Sequence, residues 1–271
     1  MRTFRELAHD LMKPLAAAAA LTTLTVAPLA HAEDEEGEDT ESVVYAQRDI
    51  VLATGLVRPE GMLSFSRFPP SEDTFIRLDA RAAWAPIKHL EVGALAVPLA
   101  LSPDVDYGDP RLYARYQLTD GAFQIAPEIG FVFNKANELS IGAPMRFKVN
   151  PAAYIDVRPF LIVDFPGSDD PDGTETIASL AIPVEIAISA TRNIYASIQT
   201  GLYVPDFNFD FGTVPLGLEL GYSLPSGEDT AWIDIYLGFR FNSFLSTGPG
   251  DAINTDSWTL GLGGRFHFGL E

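Results

Sequence analysis

Ten charged side chains in this chain fall on the polar positions of alternating, strand-length segments, at even spacings where a segment holds more than one. The chemistry they offer is sorting charge rather than making or breaking bonds. Arg77, Arg81, Arg111, Arg115, Arg146, Lys148 and Arg158 come first, followed by Glu185, Glu219 and Asp234. Even spacing places side chains on one face of an extended ribbon. If the ribbons close on one another, the basic and acidic groups line roughly opposite walls. A field across a wet interior orients polar solutes and sets an ionic preference. In the competing arrangement, Arg77, Asp79 and Arg81, Asp156 and Arg158, and Glu128 pair with their neighbours and fill a narrow interior.

Other chemistries have little to work with. The chain has no cysteine, which excludes disulfides and thiolate metal sites. Beyond residue 32 the histidines are His89, in an expected turn, and His267, near the end of the last ribbon. Neither has a serine and an acidic residue at a suggestive spacing, so no catalytic residue is expected and the chain is not read as an enzyme. Gly167-Ser168-Asp169-Asp170-Pro171-Asp172-Gly173 gathers carboxylates as a hard-cation site does, but lacks the spaced ligands and closing Glu of a calcium loop. It reads as a solvated acidic loop. No metal and no cofactor are expected.

A two-residue rhythm from about Thr74 to Phe268 positions the charges. In residues 139–150 the odd positions are Leu139, Ile141, Ala143, Met145, Phe147 and Val149, and the even ones include Ser140, Gly142, Arg146 and Lys148. Twelve such strands are expected, over residues 62–68, 74–85, 90–101, 110–118, 123–133, 139–149, 153–164, 177–189, 194–205, 213–224, 231–242 and 257–268. Compact connections (86–89, 119–122, 150–152, 190–193, 225–230) alternate with longer, more acidic ones (69–73, 102–109, 134–138, 165–176, 206–212, 242–256). That alternation, with strands of about 11 residues, fits a tilted membrane-spanning barrel.

Residues 1–32 read as a signal peptide: Arg2, Arg5 and Lys13, an apolar stretch, then Ala30-His31-Ala32. Met12-Lys13-Pro14 would open a more typical one, so the initiator is either Met1 or Met12. Its removal leaves 15 Lys and Arg against 35 Asp and Glu, which argues against nucleic acid as a partner. Residues 33–60 are read as an acidic disordered tether and lead-in. The part from Ser42 is either periplasmic or tucked into the lumen, and residues 61–271 form the barrel.

Alternation also fits a soluble sandwich, and the polar face decides between them. A solvated sheet face is rich in Lys, Glu and Thr. Here it carries Gly, Ala, Ser, Tyr and paired charges, and the whole chain has four lysines. Small residues opposite bulky ones suit the inside of a barrel, and closure removes the unpaired edges a bilayer forbids. The fold class is therefore all-β, a closed antiparallel up-and-down transmembrane β-barrel of about 12 strands. Trp84, Tyr116, Tyr154, Tyr222 and Trp258 are candidates for interfacial aromatic belts.

From about residue 57 to 271 the chain resembles the bacterial outer-membrane β-barrel (porin-like) families. The most specific element is Gly263-Gly264-Arg265-Phe266-His267-Phe268. It looks like their insertion signal, with Gly263, Phe266 and Phe268 in the key positions, although Gly269-Leu270-Glu271 follows where those families end on Phe. The resemblance implies the outer membrane of a Gram-negative bacterium, a lipid bilayer and the outer-membrane insertion machinery as partners, and a channel for small hydrophilic or anionic solutes. A non-conducting structural or adhesion barrel presenting acidic loops is the alternative. The oligomeric state is left open.

Overall fold

Each alternating ribbon pairs antiparallel with the next one in the chain, and the last returns to the first. The computed structural model describes residues 41–70, 73–95, 99–133, 137–165, 176–227, 229–248 and 253–269. The expected signal peptide, most of the acidic run and the 167–173 loop lie outside the described residues.

The strands are β1 (Leu56–Arg67), β2 (Thr74–Ile87), β3 (Leu90–Leu95 and Leu99–Ser102) and β4 (Arg111–Tyr116, after a short Asp106–Tyr107 piece). Next come β5 (Phe123–Ile125 and Glu128–Val132), β6 (Asn137–Gly142 and Met145–Asn150) and β7 (Ala153–Val157 and Phe160–Phe165). The set ends with β8 (Ile177–Ser189), β9 (Ile194–Val204), β10 (Thr213–Pro225), β11 (Ala231–Ser246) and β12 (Trp258–Phe266 and Phe268–Gly269). Closure is made by β1 on β12, from Glu60 opposite Arg265 to Arg67 opposite Trp258. The result is the expected 12-strand antiparallel barrel.

Interruptions in β5, β6 and β7 fall at Pro127, Pro144 and Pro159, which have no N–H to give a ladder. Neighbouring amides bridge the gaps: Ala126 N donates to Pro144 O (2.8 Å), Ala143 N to Pro159 O (3.1 Å) and Arg158 N to Pro183 O (2.9 Å). β1 starts at Leu56, ahead of the expected residue 62, because Pro59 falls at a gap in the β1–β12 ladder. The gap lies between the Glu60–Arg265 and Val57–Phe268 pairs, and no N–H is needed there.

The apolar half of each strand faces out. Leu63, Leu78, Leu112, Ile129, Leu218, Leu237 and Leu262 are exposed, while Ser64, Glu91, Gln124, Asp156, Ser197, Glu219 and Asp234 are buried. Leu180 belongs to the outer set, paired with exposed Leu161. A greasy exterior around a buried polar interior inverts the usual soluble arrangement and is what a bilayer-spanning barrel requires. Trp84, Tyr116 and Tyr222 are exposed near the compact turns. Trp258 stacks on Phe239 (6.3 Å between rings) towards the long loops. Tyr154 is a correction to the belt: it lies on the inward face with Asp156 and is 1% exposed.

Residues 41–55 form no strand. They run inside the barrel at the compact-turn end, with one 3-10 turn at Tyr45–Gln47. Val43, Ala46, Arg48, Ile50, Val51 and Leu52 are buried there. Of the two placements open for this stretch, the described residues take the lumenal one.

Candidate functional site

The lumen is built from inward side chains of the strands and from this internal segment. The segment starts beside the β10–β11 turn, where Val43 N donates to Asp229 O (2.8 Å) and Ala231 N to Glu41 O (2.8 Å). It leaves at β2, where Gly55 N donates to Ala85 O (2.7 Å). In between, Ala46 packs on Tyr154 and Ala187, Ile50 and Val51 on Ala126, and Leu52 on Ala83 and Ala85. Tyr45 stacks on Tyr195 with ring centroids 3.8 Å apart, and Arg265 Nη1 donates to its hydroxyl (3.3 Å). Burial, with Glu185 adding to it, pushes the Tyr45 phenol up to about 12, so it stays neutral.

Arg48 crosses the interior. Its carbonyl accepts from Arg146 Nη1 on β6 (2.8 Å), while its guanidinium is bidentate to Asp234 on β11 (Nη1–Oδ2 2.5 Å, Nη2–Oδ1 2.8 Å). Four strands lie between β6 and β11 in a ring of 12, so one residue bridges nearly opposite walls. Ser223 Oγ accepts from Arg48 Nη2 (3.1 Å), and His267 Nε2 stands 3.0 Å from Asp234 Oδ2.

The expected basic residues all face inward and are heavily paired. Arg77 is 4.0 Å from Asp79. Arg111 Nη2 meets Glu128 (3.2 Å), and Arg115 Nη2 meets Glu91 (3.0 Å). Arg146 and Arg158 share Asp156, at 2.7 Å each. Lys148 reaches Asp49 of the internal segment (2.6 Å). Arg81 is exposed within the lumen beside Glu60. Of the acidic group, Glu185 accepts from Tyr154 (3.1 Å) and lies 3.5 Å from Arg158. Glu219 pairs with Arg265 (3.2 Å), and Asp234 is taken by Arg48 and His267. Carboxylates thus interleave with the basic wall.

What sequence reasoning missed is the role of Arg48, on a segment whose lumenal placement it left as one of two alternatives. The available signal was a buried-type run, Ile50-Val51-Leu52, behind a lone arginine and ahead of the first strand. The histidines do gain carboxylate partners, Asp120 for His89 (3.5 Å) and Asp234 for His267. His267 Nδ1 has no partner among the described residues, so no serine completes a triad. No group of three His, Cys, Asp or Glu suited to a metal occurs among them either.

Small residues face large ones across the ladder. Gly93 lies under Tyr113, Gly263 under Tyr236 and Gly221 under Tyr195, and a β-carbon at Gly221 would overlap the Tyr195 ring. Gly221→Ala is therefore expected to lower stability by about 1–3 kcal/mol and to break the Tyr45–Tyr195 stack. Urea unfolding of the refolded protein, read beside Tyr45 fluorescence or NMR, checks both effects.

Above the internal segment the lumen holds a cavity of about 800 Å³, bounded by Tyr45 and Arg48 below and by Arg58, Arg111, Arg115 and Arg240 on its walls. The Nε groups of Arg111 and Arg158 are buried without a partner among the described residues.

No family model matches the chain, and no curated protein matches it in sequence. Solved structures do match in fold. The NanC porin is 10% identical with a TM-score of 0.57, over 78% of this chain and 98% of that one. An outer-membrane channel from Pseudomonas putida F1 is 11% identical with a TM-score of 0.57, over 87% and 100%. The KdgM porin, solved in complex with disordered oligogalacturonate, is 9% identical with a TM-score of 0.52, over 79% and 99%. The chain has the closed β-barrel fold of outer-membrane porins.

Proposed function

We propose that this protein is an outer-membrane channel that passes small hydrophilic or anionic solutes through its charged lumen. One observation carries the reading: a barrel that is greasy outside and polar inside encloses a cavity of about 800 Å³ edged by guanidinium groups. Arg240 is exposed to that cavity and has no carboxylate partner among the described residues. The porin fold of the solved structures supports a channel, and Phe266 and Phe268, stacked on the outer face of β12, suit an insertion signal.

Single-channel recording of the refolded protein tests this. Ion-conducting events are expected, and their absence from an intact barrel rejects the channel. Neutralising Arg111 and Arg115 together leaves Glu128 and Glu91 less balanced, so the reversal potential in a salt gradient should move towards cations. An unchanged potential removes these two arginines from selectivity. The segment across the compact-turn end favours the other reading, a non-conducting structural or adhesion barrel presenting acidic loops. The same recording separates the two.

A further inference from the structure

The lumen wall reads the main chain of the internal segment more than its side chains. Three wall donors make four hydrogen bonds to its carbonyls: Arg146 Nη1 reaches Arg48 O (2.8 Å) and Asp49 O (3.1 Å), Lys148 Nζ reaches Gln47 O (2.8 Å), and Arg115 Nη1 reaches Ile50 O (3.2 Å). Three wall acceptors take its amides: Ser189 Oγ from Ala46 N (3.0 Å), Gln124 Oε1 from Ile50 N (2.9 Å) and Glu91 Oε2 from Leu52 N (3.0 Å). Side chains set the register. Arg48 enters the Asp234 clamp, Tyr45 lies on Tyr195, and Asp49 meets Lys148 and Gln124.

Main-chain hydrogen bonds for affinity and a few side-chain sockets for specificity are the two components of peptide recognition. We propose that the floor of the lumen is a peptide-binding site, and that residues 41–53 are its resident ligand, tethered in cis and able to leave and return. The occupant is a polypeptide carrying an arginine three residues after a tyrosine across a single 3-10 turn, as Tyr45 and Arg48 are placed here. Tethering explains how a modest interface stays filled: a short linker to β1 holds the segment at a high effective concentration. Its departure takes Arg48, Asp49 and Tyr45 out of the passage and frees Arg146, Lys148 and Asp234 to face it.

The site deepens the channel reading, but binding is measured independently of conduction. The full chain, refolded with a site-specific protease sequence inserted between Thr54 and Gly55, is cut after folding and washed in mild denaturant. A fluorescent synthetic peptide of residues 41–53 is then added. We expect saturable binding by anisotropy, at least tenfold weaker for the Arg48→Ala peptide and absent for a scrambled one. A cut segment that cannot be washed out without unfolding the barrel overturns the proposal, as does an emptied barrel that takes up no peptide.

A second measurement uses the uncut chain with Ala46→Cys and Ser189→Cys, in a protein that has no other cysteine. Oxidation should suppress conductance and reductant restore it. Equal conductance in both states rejects release of the segment as a gate. Peptide binding without conductance in any state counts against the channel alone and leaves the peptide site standing.

Discussion

Replacing Asp156 by alanine is expected to destabilise the folded barrel by about 3–5 kcal/mol, the penalty for leaving buried charge uncompensated. Asp156 is fully buried and accepts from Arg146 Nε (2.7 Å) and Nη2 (2.8 Å) and from Arg158 Nη2 (2.7 Å). Both arginines are fixed to strands, β6 in one case and the bend of β7 in the other. Arg146 is almost fully buried, whereas the Arg158 side chain is about a third open to the lumenal cavity and also meets Glu185. Most of the penalty thus sits on Arg146, which cannot move away without parting the ladder. The penalty therefore falls on the whole barrel and should appear as a lower urea midpoint with an unchanged slope. A shift worth less than about 1 kcal/mol would mean that water already compensates these guanidiniums. Changing Arg146→Met in the Asp156→Ala background should recover part of the loss, because it withdraws a stranded charge.

Asp234→Ala removes an equally buried carboxylate, yet a different outcome is expected. Its chief partner, Arg48, sits on a segment that can move, so the chain relieves the uncompensated charge by releasing residues 41–53. The free energy of local opening should fall by about 3–5 kcal/mol. Where opening is fast relative to cleavage, trypsin should then cut after Arg48 on the order of 10²- to 10⁴-fold faster. The urea midpoint should move less than in Asp156→Ala. Fragment mass spectrometry over a digestion time course reads the effect. A bond after Arg48 as resistant as in the parent protein shows that the remaining wall contacts hold the segment by themselves.

These two carboxylates show how far the sequence could be read. Strand count, strand order and the outward direction of the apolar half of the strands followed from alternation, because a ladder has a period of two and a one-residue slip would turn every leucine inward. Arg158 beside Asp156 and Arg77 beside Asp79 were legible for the same reason: residues two apart share a face. Arg146 with Asp156 needed only the β6–β7 hairpin. Arg48 with Asp234 was not legible. The pair is 186 residues apart in sequence, and one partner lies on a stretch with no period at all. Beyond the apolar run Ile50-Val51-Leu52, nothing local distinguishes a lumenal segment from a solvated linker, since its amides and carbonyls are satisfied by distant side chains. Tyr154 was misplaced as a belt residue because an aromatic near a strand end suits either face. Its parity with Asp156 was the better guide. The proline breaks in β5–β7 were read through correctly as continuous strands, since each lost N–H is bypassed by a neighbour.

Both ends of the internal segment lie at the same mouth, Glu41 beside the β10–β11 turn and Gly55 beside the end of β2. Topologically it is a loop folded inward, not a chain threaded through. Assembly therefore imposes no order of events: β1 can zip onto β12 first, and the loop can be pushed in afterwards, with no terminus having to travel the length of the cylinder.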